Sequence, residues 1–218
     1  MVRRWEHVTP PNFRFTAKFP RVITHEKRLV GVDRELTQFF QAMIPFAEKT
    51  LCLLIQLPPS LGIKEGLEKL EKFYYKLDRR FRYAVEVRHK SWFQDLAYNF
   101  FNKEGICMVW SQLEGIQTPP IVTTDFLYIR FIGDRSIDAK DFGKIQKDRI
   151  NEMQYWADEV EKVEQSNETN VKFAIASANN HYAGFGPVTA NIFRSMLGEP
   201  EAVWEEKKQP RLFDFSNT

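Results

Sequence analysis

Strand-length apolar runs alternate with amphipathic helical stretches along almost the whole chain. The run LCLLIQL, residues 51–57, is apolar except for Gln56, as expected for a strand that is covered on both faces. In the next stretch, residues 64–77, Leu67, Leu70 and Phe73 recur at helical spacing. Because this order of strand and helix recurs about six times, we predict an α/β fold with a parallel sheet and helical crossovers.

The same patterns place the other elements. We predict further strands at residues 13–19, from residue 83, and at 106–110, 126–132 and 171–177. We predict further helices at residues 32–46, 92–103 and 142–163. A turn at Gly184, Gly186 and Pro187 should precede a last helix that runs through Ala190 and Leu197. Pro45 should end or kink the first of these helices.

Six units fit either an open doubly wound sheet or a (β/α)₈ barrel that lacks two units. No glycine-rich phosphate loop follows the first strand, which weakens the nucleotide-binding alternative. Polar residues recur at the C-terminal ends of several strands, where ligands bind in parallel α/β folds. We therefore expect a TIM-barrel-like parallel (β/α) barrel, incomplete, in one domain over residues 1–218 with an irregular tail at 205–218.

The stretch YAVEVRHKSW, residues 83–92, carries two opposite charges on one face of a strand. In an extended chain Ala84, Glu86 and Arg88 share one side, because side chains alternate between faces. Burying such charges costs several kcal/mol each, roughly, unless they are paired or face a polar cavity. The stretch therefore indicates either a structural ion network or a functional cleft.

The functional alternative is a cationic cleft. Lys18, Arg88 and Arg130 end strands on the same predicted side, against the single carboxylate of Glu86. Such a set prefers an anion such as phosphate or carboxylate. We expect Glu86, Arg88 and Arg130 to be the catalytic candidates, with Glu86 as general base if the reaction is hydrolytic.

Other polar and aromatic side chains follow the predicted strands and are candidates for ligand binding. They are Lys18, His25, Gln56, His89, Trp92, Tyr128, Asn179, Asn180 and His181. The three histidines and Glu86 would suffice for a divalent metal, but no metal-spaced motif occurs and we predict no cofactor. Capping for the histidines, loop hydrogen bonds for Gln56 and core packing for Trp92 are the structural alternatives.

Composition excludes several classes of protein. The chain has 218 residues, and its longest apolar runs are far shorter than the roughly 18 residues of a membrane span. No apolar stretch of signal-peptide length follows the N-terminus, so we expect a cytoplasmic protein with no membrane partner. Cys52 and Cys107 lie in apolar runs and are expected to be buried, reduced thiols. A net charge of +2 identifies no partner by itself.

Two expectations concern the ends of the fold. Gln209, Leu212 and Phe215 have the spacing of peptides that dock on DNA sliding clamps; packing of the tail on its own domain is the alternative. With six units, the first strand should be a sheet edge covered by the N-terminal segment, the tail or a second copy of the protein.

Five ordered motifs, KFPRVITH, QLPPS, VEVRHKSW, YIRFIG and NNHYAGFGPVTA, resemble the YecE-like family, domain of unknown function seventy-two. The resemblance runs from about Trp5 to about Leu197 and implies a TIM-barrel-like fold but no reaction. Family members usually have two further strand–helix units at the N-terminus. They also usually carry a His where Ile132 stands, and an Asp after the strand at Val109 and Trp110 that this chain lacks.

Two functions therefore remain open. The first is a protein that binds an anionic, phosphate-bearing small molecule or a nucleic acid, and that could act as a hydrolase. The second is a non-catalytic interaction module whose site has decayed, which the departures from the family pattern favour.

Overall fold

The computed structural model describes residues 7–203, except 134 and 168. Strands and helices alternate along this part of the chain, as the sequence predicts. The strands are β1 (Phe15–Lys18), β2 (Thr50–Gln56), β3 (Tyr83–Glu86), β4 (Cys107–Met108), β5 (Trp110–Leu113), β6 (Ile116–Gln117), β7 (Phe126–Gly133) and β8 (Phe173–Ala178). The α-helices are α1 (Asp33–Met43), α2 (Ile63–Tyr74), α3 (Asp95–Glu104), α4 (Ile150–Gln165), α5 (Asn180–Ala183) and α6 (Gly186–Met196).

The strands form two four-stranded sheets that meet at one segment of chain. The first sheet has the order β1-β2-β3-β4 and the second β6-β5-β7-β8, and every pairing is parallel except that of β5 with the short strand β6. Only Val109 separates β4 from β5, and its N–H donates to the carbonyl of Val85. The parallel strands therefore follow one another across both sheets. The order is β1, β2, β3, then β4 and β5 as one nearly continuous strand, then β7 and β8.

The expected barrel is not confirmed. Among the described residues β1 pairs only with β2 and β8 only with β7, so no closed barrel forms. The sheets nevertheless share a concave inner face, because strands from both contribute to one buried cluster. Its members are Cys52, Leu54, Ala84, Cys107, Val109, Phe126 and Tyr128. The Thr16 hydroxyl lies 3.3 Å from that of Tyr128, which links β1 to β7 across this face.

The outer faces of the strands are covered by helices. In the first sheet Tyr83, Val85 and Val87 pack in a core with residues of α1, α2 and α3. In the second sheet Leu127, Ile129 and Phe131 pack with residues of α4 and α6, among others. The predicted division of β3 into two faces is thus confirmed, and β7 is divided in the same way.

Several element boundaries differ from prediction, and the last helix begins at Gly186, within the predicted turn. The helix predicted from residue 142 begins only at Ile150, because the preceding segment bonds to the α5 turn: Gly143 N–H donates to Gly184 O and Gln146 N–H to Ala183 O. The strand predicted at 106–110 is split into β4 and β5, and the loop after it contains the unforeseen hairpin with β6. The helix predicted from Trp92 begins at Asp95, after a 3₁₀ turn at Lys90–Trp92.

Pro45 acts as expected. Helix α1 ends at Met43, and the chain continues as a 3₁₀ helix over Ile44–Lys49 with Pro45 in its first turn. None of the helices within the described residues combines the length and the apolar character that crossing a membrane would take.

Candidate functional site

A row of polar side chains lies at the C-terminal ends of the parallel strands. Each parallel strand contributes one residue, and β4 and β5 together contribute one. In spatial order they are Lys18, Gln56, Glu86, Ser111, Arg130 and Ser177. Gln56 is in register with Glu86, and Arg130 with both Ser111 and Ser177. Because residues two positions earlier, such as Ala84 and Tyr128, belong to the inner cluster, the row continues the concave face.

Glu86 is the centre of an ion network. Its side chain is 0% exposed, and its Oε1 accepts a hydrogen bond from Arg88 Nε at 2.5 Å. Its Oε2 accepts a hydrogen bond from Arg130 Nη1, which reaches across the intervening strand β5. Both guanidinium groups are themselves largely buried, at 16% and 18% exposure. Two charge-assisted contacts thus compensate the burial of this carboxylate.

The network leaves donors unused. Arg130 Nε is buried and has no hydrogen-bond partner, and the buried hydroxyl of its neighbour Ser111 has none either. Buried polar atoms without partners are uncommon in native proteins, and each costs about 1–3 kcal/mol. The row therefore combines a paired carboxylate with two buried polar atoms that have no partner among the described residues.

A second chain of hydrogen bonds runs along the row from Lys18. Its ammonium donates to Gln56 Oε1 at 3.5 Å, and Gln56 Nε2 lies 3.3 Å from His25 Nε2. The amide nitrogen can only donate, so His25 Nε2 accepts and His25 Nδ1 carries the proton, 2.8 Å from the Thr24 hydroxyl. His25 is thus held as a neutral ring.

The electrostatics of this corner are positive. Burial, with the charge of Arg130 next, lowers the pKa of Lys18 below its usual range. Burial and then the charges of Arg21, Arg88 and Lys18 lower the pKa of His25. Glu86 opposes both shifts without reversing either. The cations therefore outweigh the one carboxylate in the field at this end of the strands.

A cavity of about 450 Å³ opens beside the row, between the edge strands β1 and β8. The polar side chains on its wall are Thr16, Lys18, Tyr128, Arg130, Ser177, Asn179 and Asn180. None of these is acidic. The structure therefore brings Lys18, Tyr128, Arg130, Asn179 and Asn180 from the predicted set to one space, with Gln56 and His25 bonded behind Lys18.

Three predicted site residues have local roles instead. His89 accepts a hydrogen bond from Ser91 N–H and caps a 3₁₀ turn. His181 Nδ1 bonds to Ile137 O, and its ring packs edge-on against Phe142. Trp92 is 0% exposed, donates to Leu61 O and stacks on Phe101, so core packing replaces the predicted stacking on a ligand.

The geometry of the described residues also gives no support to the metal alternative. Among the described residues, no group of three or more His, Cys, Asp or Glu side chains could hold a metal ion. The histidines bond to separate partners, as described above, and both oxygens of Glu86 already accept from guanidinium groups.

Sequence reasoning overlooked Thr16, Ser111 and Ser177 as site residues. Thr16 lies two residues before Lys18, Ser111 two residues after Val109, and Ser177 two residues after Ile175. Each therefore continues the alternation of side chains along its strand. That alternation was the available signal. The sliding-clamp motif at Gln209, Leu212 and Phe215 lies outside the described residues.

Comparison with known proteins identifies similar chains. A family model described as "Protein of unknown function DUF72" matches residues 1–212. UPF0759 protein YecE of Escherichia coli, in strains K12 and O157:H7, is 39% identical over 93 residues, or 43% of this chain. That match spans 34% of the length of these relatives.

Solved structures share the fold. A DUF72 family protein from Thermotoga maritima aligns with a TM-score of 0.71 at 25% identity, covering 90% of this chain and 78% of that one. A DUF72 family protein from Enterococcus faecalis aligns with a TM-score of 0.73 at 24% identity, covering 90% of this chain and 83% of the other. The second likeness bears on the fold alone.

Proposed function

The chain belongs to the DUF72 family of proteins of unknown function, and we propose that it binds a phosphate-bearing anion in the cavity between β1 and β8. The observation that carries this proposal is that Lys18 and Arg130 line the cavity while no acidic side chain does. A ligand in this space meets two cations directly. The carboxylate of Glu86, bonded on both oxygens, is already taken by Arg88 and Arg130.

The spare donors support the same function. Arg130 lines the cavity, and a guanidinium group is suited to phosphate oxygens. Lys18 shares only a 3.5 Å contact with Gln56, which leaves its other two N–H bonds for a ligand. Charge-assisted hydrogen bonds of this kind contribute about 1.5–3 kcal/mol each.

The first test is calorimetric titration of the protein with inorganic phosphate and with a short single-stranded oligonucleotide. We expect phosphate to bind, and Lys18→Met to weaken binding by about ten-fold, equivalent to about 1.4 kcal/mol. Lys64→Met, which removes an exposed charge on α2 away from the cavity, is the matched control and should stay within about two-fold.

Each outcome has a definite meaning. Binding of the oligonucleotide alone, with a steep loss on adding salt, would assign the cavity to nucleic acid. Absence of binding by both probes, or equal losses in the Lys18 and Lys64 variants, would reject the proposal.

A non-catalytic interaction module is the second candidate, and one observation favours it. Hydrolysis with Glu86 as general base requires a carboxylate that a water molecule can reach, but this side chain is fully buried and both its oxygens accept from arginines. A screen of phosphoesters and glycosides should then show no turnover. Turnover that Glu86→Gln abolishes would reject this candidate and support the catalytic assignment of Glu86, Arg88 and Arg130.

A further inference from the structure

The two asparagines after β8 line the cavity, and the side-chain oxygen of each accepts from a backbone N–H. Asn179 Oδ1 accepts from His181 N–H at 3.1 Å, and Asn180 Oδ1 accepts from Gly186 N–H at 2.8 Å. Because a backbone N–H can only donate, these bonds settle which end of each amide is oxygen. The Nδ2 groups, which can only donate, are the ends left for the cavity that both residues line.

The cavity therefore selects for hydrogen-bond acceptors. Lys18 and Arg130 on its wall have no acceptor atom, and the two asparagines have theirs occupied. Thr16 and Tyr128 hydroxyls lie 3.3 Å from each other and share one hydrogen bond. A ligand hydroxyl could donate only to the hydroxyl oxygens of Thr16, Tyr128 and Ser177, whereas phosphate and carboxylate groups, which only accept, can use each donor on the wall.

The donors on the cavity wall form two sets: the cations of Lys18 and Arg130, and the amides of Asn179 and Asn180. Arg130 is in register with Ser177, and Asn179 lies two residues beyond it, with its N–H bonded to Phe131 O. Two residues of extended chain span about 7 Å. Along β8 the backbone of Asn179 therefore lies about two residues beyond the level of Arg130, and both residues line the same cavity.

We infer that the ligand is a small phosphorylated carboxylate, with its phosphate on Lys18 and Arg130 and its carboxylate or an adjacent carbonyl on the amides of Asn179 and Asn180. This inference rests on the proposed phosphate function of the cavity. A volume of about 450 Å³ accommodates such a molecule.

The experiment compares three probes by calorimetry: inorganic phosphate, glycerol 3-phosphate and 3-phosphoglycerate. The last two differ in that a hydroxymethyl group replaces a carboxylate. We expect the wild-type protein to prefer 3-phosphoglycerate by about ten-fold, a difference of one hydrogen-bonded charge.

Variants that keep the asparagine caps separate ligand recognition from folding. The double substitution Asn179→Asp and Asn180→Asp keeps both Oδ1 acceptors but replaces the donors, and should abolish or reverse the preference. Asn179→Ser retains a capping oxygen, adds no charge and should reduce the preference by itself. Asn99→Asp, on the exposed side of α3, adds charge elsewhere and should leave the preference unchanged.

The outcomes distinguish this inference from the function on which it rests. If phosphate binds but glycerol 3-phosphate and 3-phosphoglycerate bind equally, the inference is wrong and the phosphate site stands. If the preference exists but survives Asn179→Ser and the double substitution, it reflects net charge and the inference is again wrong. If no probe binds, the phosphate function itself is rejected.

Discussion

At the scale of the residue, Glu86 explains why this end of the fold is charged. A fully buried carboxylate is tolerated because Arg88 and Arg130 each occupy one of its oxygens. The cavity beside this network, lined by Lys18 and Arg130 and by no acidic side chain, is the feature on which the proposed anion binding rests.

We predict that Glu86→Gln lowers the free energy of unfolding by about 3 kcal/mol, because it leaves two largely buried guanidinium groups without their counter-charge. Urea denaturation followed by circular dichroism measures this change. The contrast is Glu68→Gln, which removes an exposed i,i+4 contact with Lys72 and should cost less than about 0.5 kcal/mol. A loss below about 1 kcal/mol for Glu86→Gln would show that the network is not what stabilises these charges.

At the scale of the element, one glycine sets how closely α2 approaches the turn before α3. A Cβ on Gly66 would lie 2.6 Å from Trp92 Cζ2. Trp92 cannot retreat easily, because its indole N–H bonds to Leu61 O and its ring stacks on Phe101 with centroids 6.1 Å apart. Trp92, which the sequence offered as a candidate for ligand binding, is thus a surface against which α2 packs.

We predict that Gly66→Ala destabilises the protein by about 1–3 kcal/mol through overpacking, despite the gain of about 1 kcal/mol in helix propensity. Thermal and urea unfolding of a double-mutant cycle with Trp92→Phe measures the clash. In the Trp92→Phe background the smaller ring should make Gly66→Ala neutral or stabilising. An equal cost in both backgrounds would assign the effect to the helix backbone instead.

At the scale of the whole molecule, the two sheets enclose a shared dry interior. Cys52 from β2 and Cys107 from β4 both lie in it as free, buried thiols, as predicted from the sequence. Burial raises the pKa of Cys52 to about 12 and raises that of Cys107 well above its usual range. The reactivity of these thiols therefore reports on opening of the interior.

We predict that neither thiol reacts with a disulfide reagent at pH 8 in the folded protein, and that both react once urea unfolds it. Reaction in native buffer should proceed only through opening of the sheets. Because these pKa values are higher in the folded state than in the unfolded chain, the thiols also make stability fall as the pH rises above about 8.5. Rapid native labelling of both thiols would show that the inner face is open to solvent.

Local pattern alone determined the order of elements and the direction of most side chains. Alternation over two residues is a property of any extended strand, so it predicted that Ala84 and Glu86 share one face of β3 before any fold was known, and Tyr128 and Arg130 follow the same rule in β7. The same rule gathered Lys18, Glu86 and Arg130 at one end of the strands, because parallel strands end together.

Tertiary contacts decided the rest. The start of α4, the β5–β6 hairpin and the pairing of both Glu86 oxygens depend on residues distant in sequence, such as Ala183 for Gln146 and Arg130 for Glu86. Whether Trp92 and His181 face a ligand or a neighbour is decided in the same way. A periodic pattern specifies the face of an element, but the partner across that face, and therefore the cavity, exists only once the strands are assembled.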